Sequence, residues 1–195
     1  NRTVVALFAL RSCGILFFMD ILAKLFGSTS RIKILRLFFL NPLDAFDVKM
    51  VSEKSKVKIA EVRREIALLK KAGVITDKSF FKEIPSRRGS KKAPTKKRMQ
   101  RFQLKSTFPL LTPLKNLIIS ESPLNRDEIA KRFKTVGKIK LLAISGIFIE
   151  ELDARIDVLI VGDGLKKRAI ESTLKSIEAE IGKELSYAMF ETSEF

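Results

Sequence analysis

The chain has 195 residues, with Lys+Arg 38 against Asp+Glu 22, one Cys and no His. That length suits one large or two small domains with real cores, while a lone Cys13 and the lack of imidazole exclude an internal disulfide, a cysteine-based zinc site and the usual histidine general base. The charge is uneven: residues 1–137 hold 30 basic and 11 acidic groups, net +19, and residues 138–195 hold 8 and 11, net −3. Two domains follow from this, the first drawn to a polyanion, meaning nucleic acid or an anionic membrane face, and the second needing another explanation.

In chain order, Thr3 to Phe18 is apolar apart from Arg11, Ser12 and Cys13. Its runs are too short to span a bilayer, and Leu10-Arg11-Ser12-Cys13 puts Arg where a lipoprotein cleavage site needs a small apolar residue. No membrane attachment is expected, residues 1–18 read as an extension outside the domains, and the amphipathic pattern predicts a native start at Met19. Location in a reducing cytoplasm fits the cysteine usage. Ser28-Thr29-Ser30 supplies caps for a first helix with Ile32, Leu35, Phe38 and Phe39 on one face, closed by Asn41-Pro42. Phe46 to Glu53 reads as a short second helix bearing Phe46, Met50 and Val51, and Ser55-Lys56-Val57 as the turn into a third helix from about Lys58 to Ala72. Val62, Ile66 and Leu69 give that helix its apolar stripe, and Ala72-Gly73 ends it.

Val74-Ile75-Thr76 and Arg101 to Leu104 then read as strands around a loop containing Arg87-Arg88-Gly89-Ser90-Lys91-Lys92 and Lys96-Lys97-Arg98. Three short helices with a tight turn before the third form a helix-turn-helix pattern, and a basic hairpin directly after it is a wing. Residues 106–137 read as a helical linker, with one amphipathic helix over 107–120 through Leu110, Leu114, Leu117 and Ile118 and a basic one over Asn125 to Lys134. The character then changes. Ile139 to Ile144, Ile156 to Val161 and Leu185 to Phe190 read as strands and Leu165 to Ile181 as a helix, which predicts a small α/β domain over 138–195. Asp163 reads as a turn residue capping that helix, and Thr192 to Phe195 as the first turn of a helix that the sequence does not continue, so a truncated C-terminus is expected. The fold class expected is α+β.

The third helix leaves Lys58, Ile59, Glu61, Arg63, Arg64, Lys70 and Lys71 outside its apolar stripe. A helix in the major groove reads base edges from its first turns, where Lys and Arg reach guanine acceptors, and meets phosphate farther along. Lys58, Glu61 and Arg64 are the base-edge candidates, with Arg63 beside them. Charges opposite an apolar stripe usually mean only a solvated face. The hairpin changes that balance, because Lys82 to Lys105 holds ten basic residues and one acid, Glu83. Arg87, Arg88, Lys91, Lys92, Lys96, Lys97 and Arg98 are the expected backbone contacts.

The pattern Val62-x-x-x-Ile66-x-x-Leu69-x-x-Ala72-Gly73-Val74, preceded by Phe46-Asp47-Val48-Lys49-Met50-Val51, resembles the winged helix-turn-helix domains of ArsR-like and MarR-like bacterial regulators over residues 28–105. The resemblance implies a recognition helix at Lys58 to Lys71, a wing and often a homodimer; the Cys and His ligands of ArsR-like metal sensors are missing. Residues 138–195 are similar to the nucleotidyltransferase fold, in which a strand ending in Gly-Ser precedes paired carboxylates that hold magnesium. Here the strand ends in Ile144-Ser145-Gly146, and the pair reads Arg155-Ile156-Asp157. Strand periodicity puts Arg155 and Asp157 on one face, where the guanidinium would pair with Asp157 in place of a metal. With no third carboxylate in Leu185 to Phe190, Ser145, Gly146, Arg155 and Asp157 form a degenerate site without metal or cofactor. The function expected is sequence-specific binding of double-stranded DNA as a transcriptional regulator, with the C-terminal domain meeting a ligand, a protein partner or a second copy. The alternatives are an active nucleotidyltransferase of toxin or antitoxin type and an RNA-associated basic protein.

Overall fold

The computed structural model describes residues 15–84, 95–119, 126–149 and 154–195. Helix α1 (Ile15–Phe26) starts four residues before Met19 and packs Leu22 into the first of two hydrophobic cores. Helix α2 (Thr29–Leu40) begins where Ser28 Oγ accepts a hydrogen bond from the Arg31 amide at 3.1 Å, satisfying one orphan donor of the first turn. Its expected apolar face is buried, and so are Ile34, Arg36 and Leu37. A helix apolar on nearly all sides belongs inside a molecule, and α2 is the central post of this one.

The strand β1 (Ala45–Phe46) takes Phe46 out of the helix expected there. The second helix, α3 (Val48–Ser55), starts only after Asp47, whose carboxylate accepts from the Met50 amide at 2.9 Å. Phe46 instead meets the Phe38 ring edge-on, centroids 5.6 Å apart, a contact worth about 0.5–1.5 kcal/mol beyond its burial. Lys56 makes the turn into α4 (Ile59–Lys71) in the left-handed region, φ 52°, and the Ser52 hydroxyl ties that turn down by donating to the Val57 carbonyl at 2.6 Å. In α4, Val62, Ile66 and Leu69 are buried as the stripe predicts, and Glu65 is buried with them.

Strands β2 (Ile75–Ile84) and β3 (Thr95–Leu104) form an antiparallel hairpin in register from Ile75↔Leu104 to Ile84↔Thr95, and β1 adds to the far side of β3 through Phe46↔Phe102, giving the order β1-β3-β2. The hairpin is much longer than expected, because backbone pairing continues past Thr76. Lys96, Lys97 and Arg98 therefore stand on a strand and not in a loop.

Helix α5 (Leu111–Ile119) seats Ile118 in the first core, while Leu110 precedes the helix and Leu117 lies on it, both exposed. The expected apolar face of this segment is thus only partly used. Helix α6 (Arg126–Phe133) places Ile129 and Phe133 in the second core. That core lies under a mixed sheet, order β4-β5-β6, in which β4 (Lys138–Ile144) is antiparallel to β5 (Val158–Asp163) and β5 is parallel to β6 (Tyr187–Glu191). Helix α7 (Lys167–Ile181) makes the crossover between the parallel strands and buries Ile170, Leu174, Ile177 and Ile181. Asp163 ends β5 and does not cap α7, whose N-cap is Lys166 without a side-chain bond. The last residues form a turn, with Glu194 N donating to Glu191 O at 2.9 Å.

The two cores meet on α2. Leu40 packs into the second, and the Arg36 side chain is buried, its Nε donating to Ile118 O at 3.1 Å and its guanidinium to Glu180 O at 3.3 Å. Burial pushes the Arg36 pKa down to about 10, with Glu180 opposing the shift, so it keeps its proton at neutral pH. Beside it Asn41 Nδ2 bridges Leu37 O and Gly182 O, at 2.7 and 2.8 Å. The whole is α+β, with seven helices and two three-stranded sheets among the described residues.

Candidate nucleic-acid interface

Packing decides which side of α4 is left for a partner. Glu65 is drawn inward by Arg31 of α2, whose Nε donates to Oε2 at 2.7 Å while a second guanidinium nitrogen reaches Oε1 at 3.3 Å. This forked pair adds to the apolar stripe in fixing the helix rotation, since turning α4 would part the buried Glu65 carboxylate from its partner. The sequence holds the signal, because Glu65 is in phase with Val62, Ile66 and Leu69, but its partner is 34 residues away.

With that face fixed, Ala60, Arg64, Ala67 and Lys71 recur at intervals of four and three on the opposite side, and all four are exposed. Lys58, at the N-cap, and Arg63 are exposed beside this row. Glu61 is half-buried on the other flank. Of the base-edge candidates, then, Lys58 and Arg64 stand open to a partner and Glu61 less so. The alanines carry no charge and escape a search for cations, yet they let the helix backbone come close to whatever it meets.

Lys70 is spoken for. Its ammonium binds Asp77 Oδ2 at 2.5 Å, and Gln100 Nε2 donates to the other oxygen at 2.9 Å. The hydrogen bond from Lys70, then that from Gln100, holds the Asp77 carboxyl below the usual range. This cluster joins the end of α4 to the root of the hairpin. Between them runs an open groove with an apolar floor of Val48, Ile66, Ala67 and Phe102 and a rim of Arg63, Lys70, Lys71 and Gln100.

Beyond its root the hairpin leaves the core. Ile75, Phe102 and Leu104 are buried, whereas Thr76, Asp77, Lys78 and Ser79 in succession are exposed, so neither face of β2 is covered there. Farther out, the backbone register sets Lys97 opposite Lys82 and Lys96 opposite Glu83, with Arg98 opposite Phe81. Arg87, Arg88, Lys91 and Lys92 lie outside the described residues.

The C-terminal residues assemble differently from expectation. Strand β5 begins at Val158, so Arg155 and Asp157 precede it and no strand face pairs them. Arg155 is exposed, while Asp157 is 7% exposed and accepts from the Ile147 amide at 3.1 Å and the Ser186 amide at 2.8 Å. Among the ion pairs of the described residues, none joins Arg155 to Asp157. The Ser145 amide donates to the Asp157 carbonyl at 2.9 Å. Gly146, at φ 58°, packs against the Asp157 carboxylate so closely that a β-carbon there would collide with Oδ1. Asp157 thus ties the end of β4 to the approaches of β5 and β6. Among the described residues no group of three His, Cys, Asp or Glu side chains could hold a metal ion, and no helix is long and apolar enough to cross a membrane.

No protein-family model, curated protein or solved structure matches this chain.

Proposed function

We propose that this chain is a sequence-specific double-stranded DNA-binding regulator, a winged helix-turn-helix joined to a nucleotidyltransferase-like domain without catalytic metal. The observation that carries the reading is the outward row of α4, Ala60, Arg64, Ala67 and Lys71 with Lys58 and Arg63 beside it, on a helix fixed by its buried face and followed at once by a basic hairpin. The order helix, short strand, helix, tight turn, helix, hairpin, with the sheet order β1-β3-β2, supports the winged-helix reading. In it α4 enters the major groove and β2 and β3 lie along the backbone. The parallel β5–β6 pair with α7 as crossover supports the reading of the second domain. Both oxygens of Asp157 are held by backbone amides, which favours a structural over a catalytic role.

The test is fluorescence titration of duplex DNA at several salt concentrations. Neutralising on the order of six phosphates gives a slope of log affinity against log salt near about −5. A flat salt response, or tighter binding to single-stranded RNA than to duplex DNA, would sink the reading.

A further inference from the structure

The exposed surface of α4 is not uniformly cationic. Ile59, the first residue of the helix, is 45% exposed, and Ala60 after it is exposed too, with Lys58 before them and Arg63 one turn on. Phosphate contact calls for charge and gains nothing from an isoleucine held in water. A single exposed apolar side chain is ordinary, and Leu43 at 85% is more exposed still. Position separates the two. Leu43 lies in the loop between α2 and β1, whereas Ile59 and Ala60 occupy the first turn of the helix with the outward cationic row, where base-edge contacts concentrate.

The major groove offers one apolar group, the C5 methyl of thymine, and aliphatic side chains are what contact it. Resting on the DNA reading above, we infer that Ile59 reads a thymine methyl group in the preferred site, next to the base pairs reached by Lys58 and Arg64. The class of ligand is therefore duplex DNA with at least one thymine under the first turn of α4. Leu68 serves as the internal comparison. It is exposed to a similar degree, 42%, but lies on the other flank, more than two turns along the helix.

The experiment uses the full chain and duplexes selected from a random pool by retention on it, each prepared with thymine and again with uracil. Uracil keeps every donor and acceptor of the pair and removes only the methyl. The wild type should lose about fourfold in affinity per contacted thymine, equivalent to the ~0.8 kcal/mol of one buried methyl-sized group. Ile59→Ala should bind the thymine and uracil duplexes equally and melt like the wild type, while Leu68→Ala should keep the discrimination. Equal wild-type affinity for the two duplexes overturns this inference and leaves the DNA reading standing. Discrimination that survives in Ile59→Ala also overturns it, since another group would then read the methyl. Failure to bind any duplex overturns both.

Discussion

Arg64 and Lys58 are held by geometry in places where one substitution has a readable effect. Both project from a helix whose rotation is locked by Val62, Ile66, Leu69 and the Glu65–Arg31 pair, so truncating them leaves the fold alone. Arg64→Ala or Lys58→Ala should cost about 1–3 kcal/mol on the preferred duplex and much less on random DNA. Titration on both DNAs decides it, and an equal loss on each would move the reading surface elsewhere. Asp157 gives the opposite expectation. Asp157→Ala takes the carboxylate acceptor from the Ile147 and Ser186 amides, two part-buried bonds with a net worth of about 1–1.5 kcal/mol each. In a chain of this length that lowers Tm by several degrees, at about 2–4 °C per kcal/mol. Magnesium-dependent transfer of a labelled nucleotide is expected neither before nor after the change. Transfer by the wild type that vanishes in Asp157→Ala would restore the enzymatic reading of this site.

Among the elements, the proposed function gives α4 and the β2–β3 hairpin different work, and they should fail differently. Replacing Lys91, Lys92, Lys96 and Lys97 together by Ala should weaken preferred and random DNA about equally and flatten the salt slope by roughly one unit for each phosphate left without its cation. Weakening confined to the preferred site would mean that the hairpin reads bases. Helix positions are legible in the sequence because amphipathic periodicity is local: the stripe Val62, Ile66 and Leu69 is buried and Ser28 caps its helix, as their spacing predicts. The errors lie where a distant strand decides. Phe46 fits a helix period as well as a strand, and only pairing with Phe102 selects the strand. The outer halves of β2 and β3, Phe80-Phe81-Lys82-Glu83-Ile84 and Thr95-Lys96-Lys97-Arg98-Met99, carry no alternation that marks a strand and are held in register by each other. Strand periodicity makes Asp157 the ion-pair partner of Arg155, but the amides that claim it come from Ile147 and Ser186, whose approach no local pattern announces.

For the whole molecule the decisive feature is that the two cores share α2. A single helix can be buried on nearly every side only if a second body covers what the first leaves open, and here α7 and its outgoing turn do so. Gly182 ends α7 at φ 90°, and a β-carbon there would lie 2.6 Å from the Leu37 amide nitrogen and 2.7 Å from the Arg36 carbonyl carbon. Around it Asn41 reaches the Gly182 carbonyl, Arg36 reaches that of Glu180, and Lys54 of α3 pairs with Glu184 at 2.6 Å. Lys54 and Glu184 are partly or wholly open to water, so that pair adds at most about 1 kcal/mol. The close backbone approach and the buried Arg36 therefore carry the junction. The wild type should unfold in a single cooperative transition. Gly182→Ala should force α2 and the end of α7 apart, combining backbone strain of about 1–2 kcal/mol with a clash against main chain that has no flexible end to move. Differential scanning calorimetry should then resolve two transitions, one for each core, while Lys54→Ala keeps a single transition within a few degrees of the wild type. A Gly182→Ala protein that still melts in one step at the wild-type temperature would show that the cores are coupled elsewhere than at this junction.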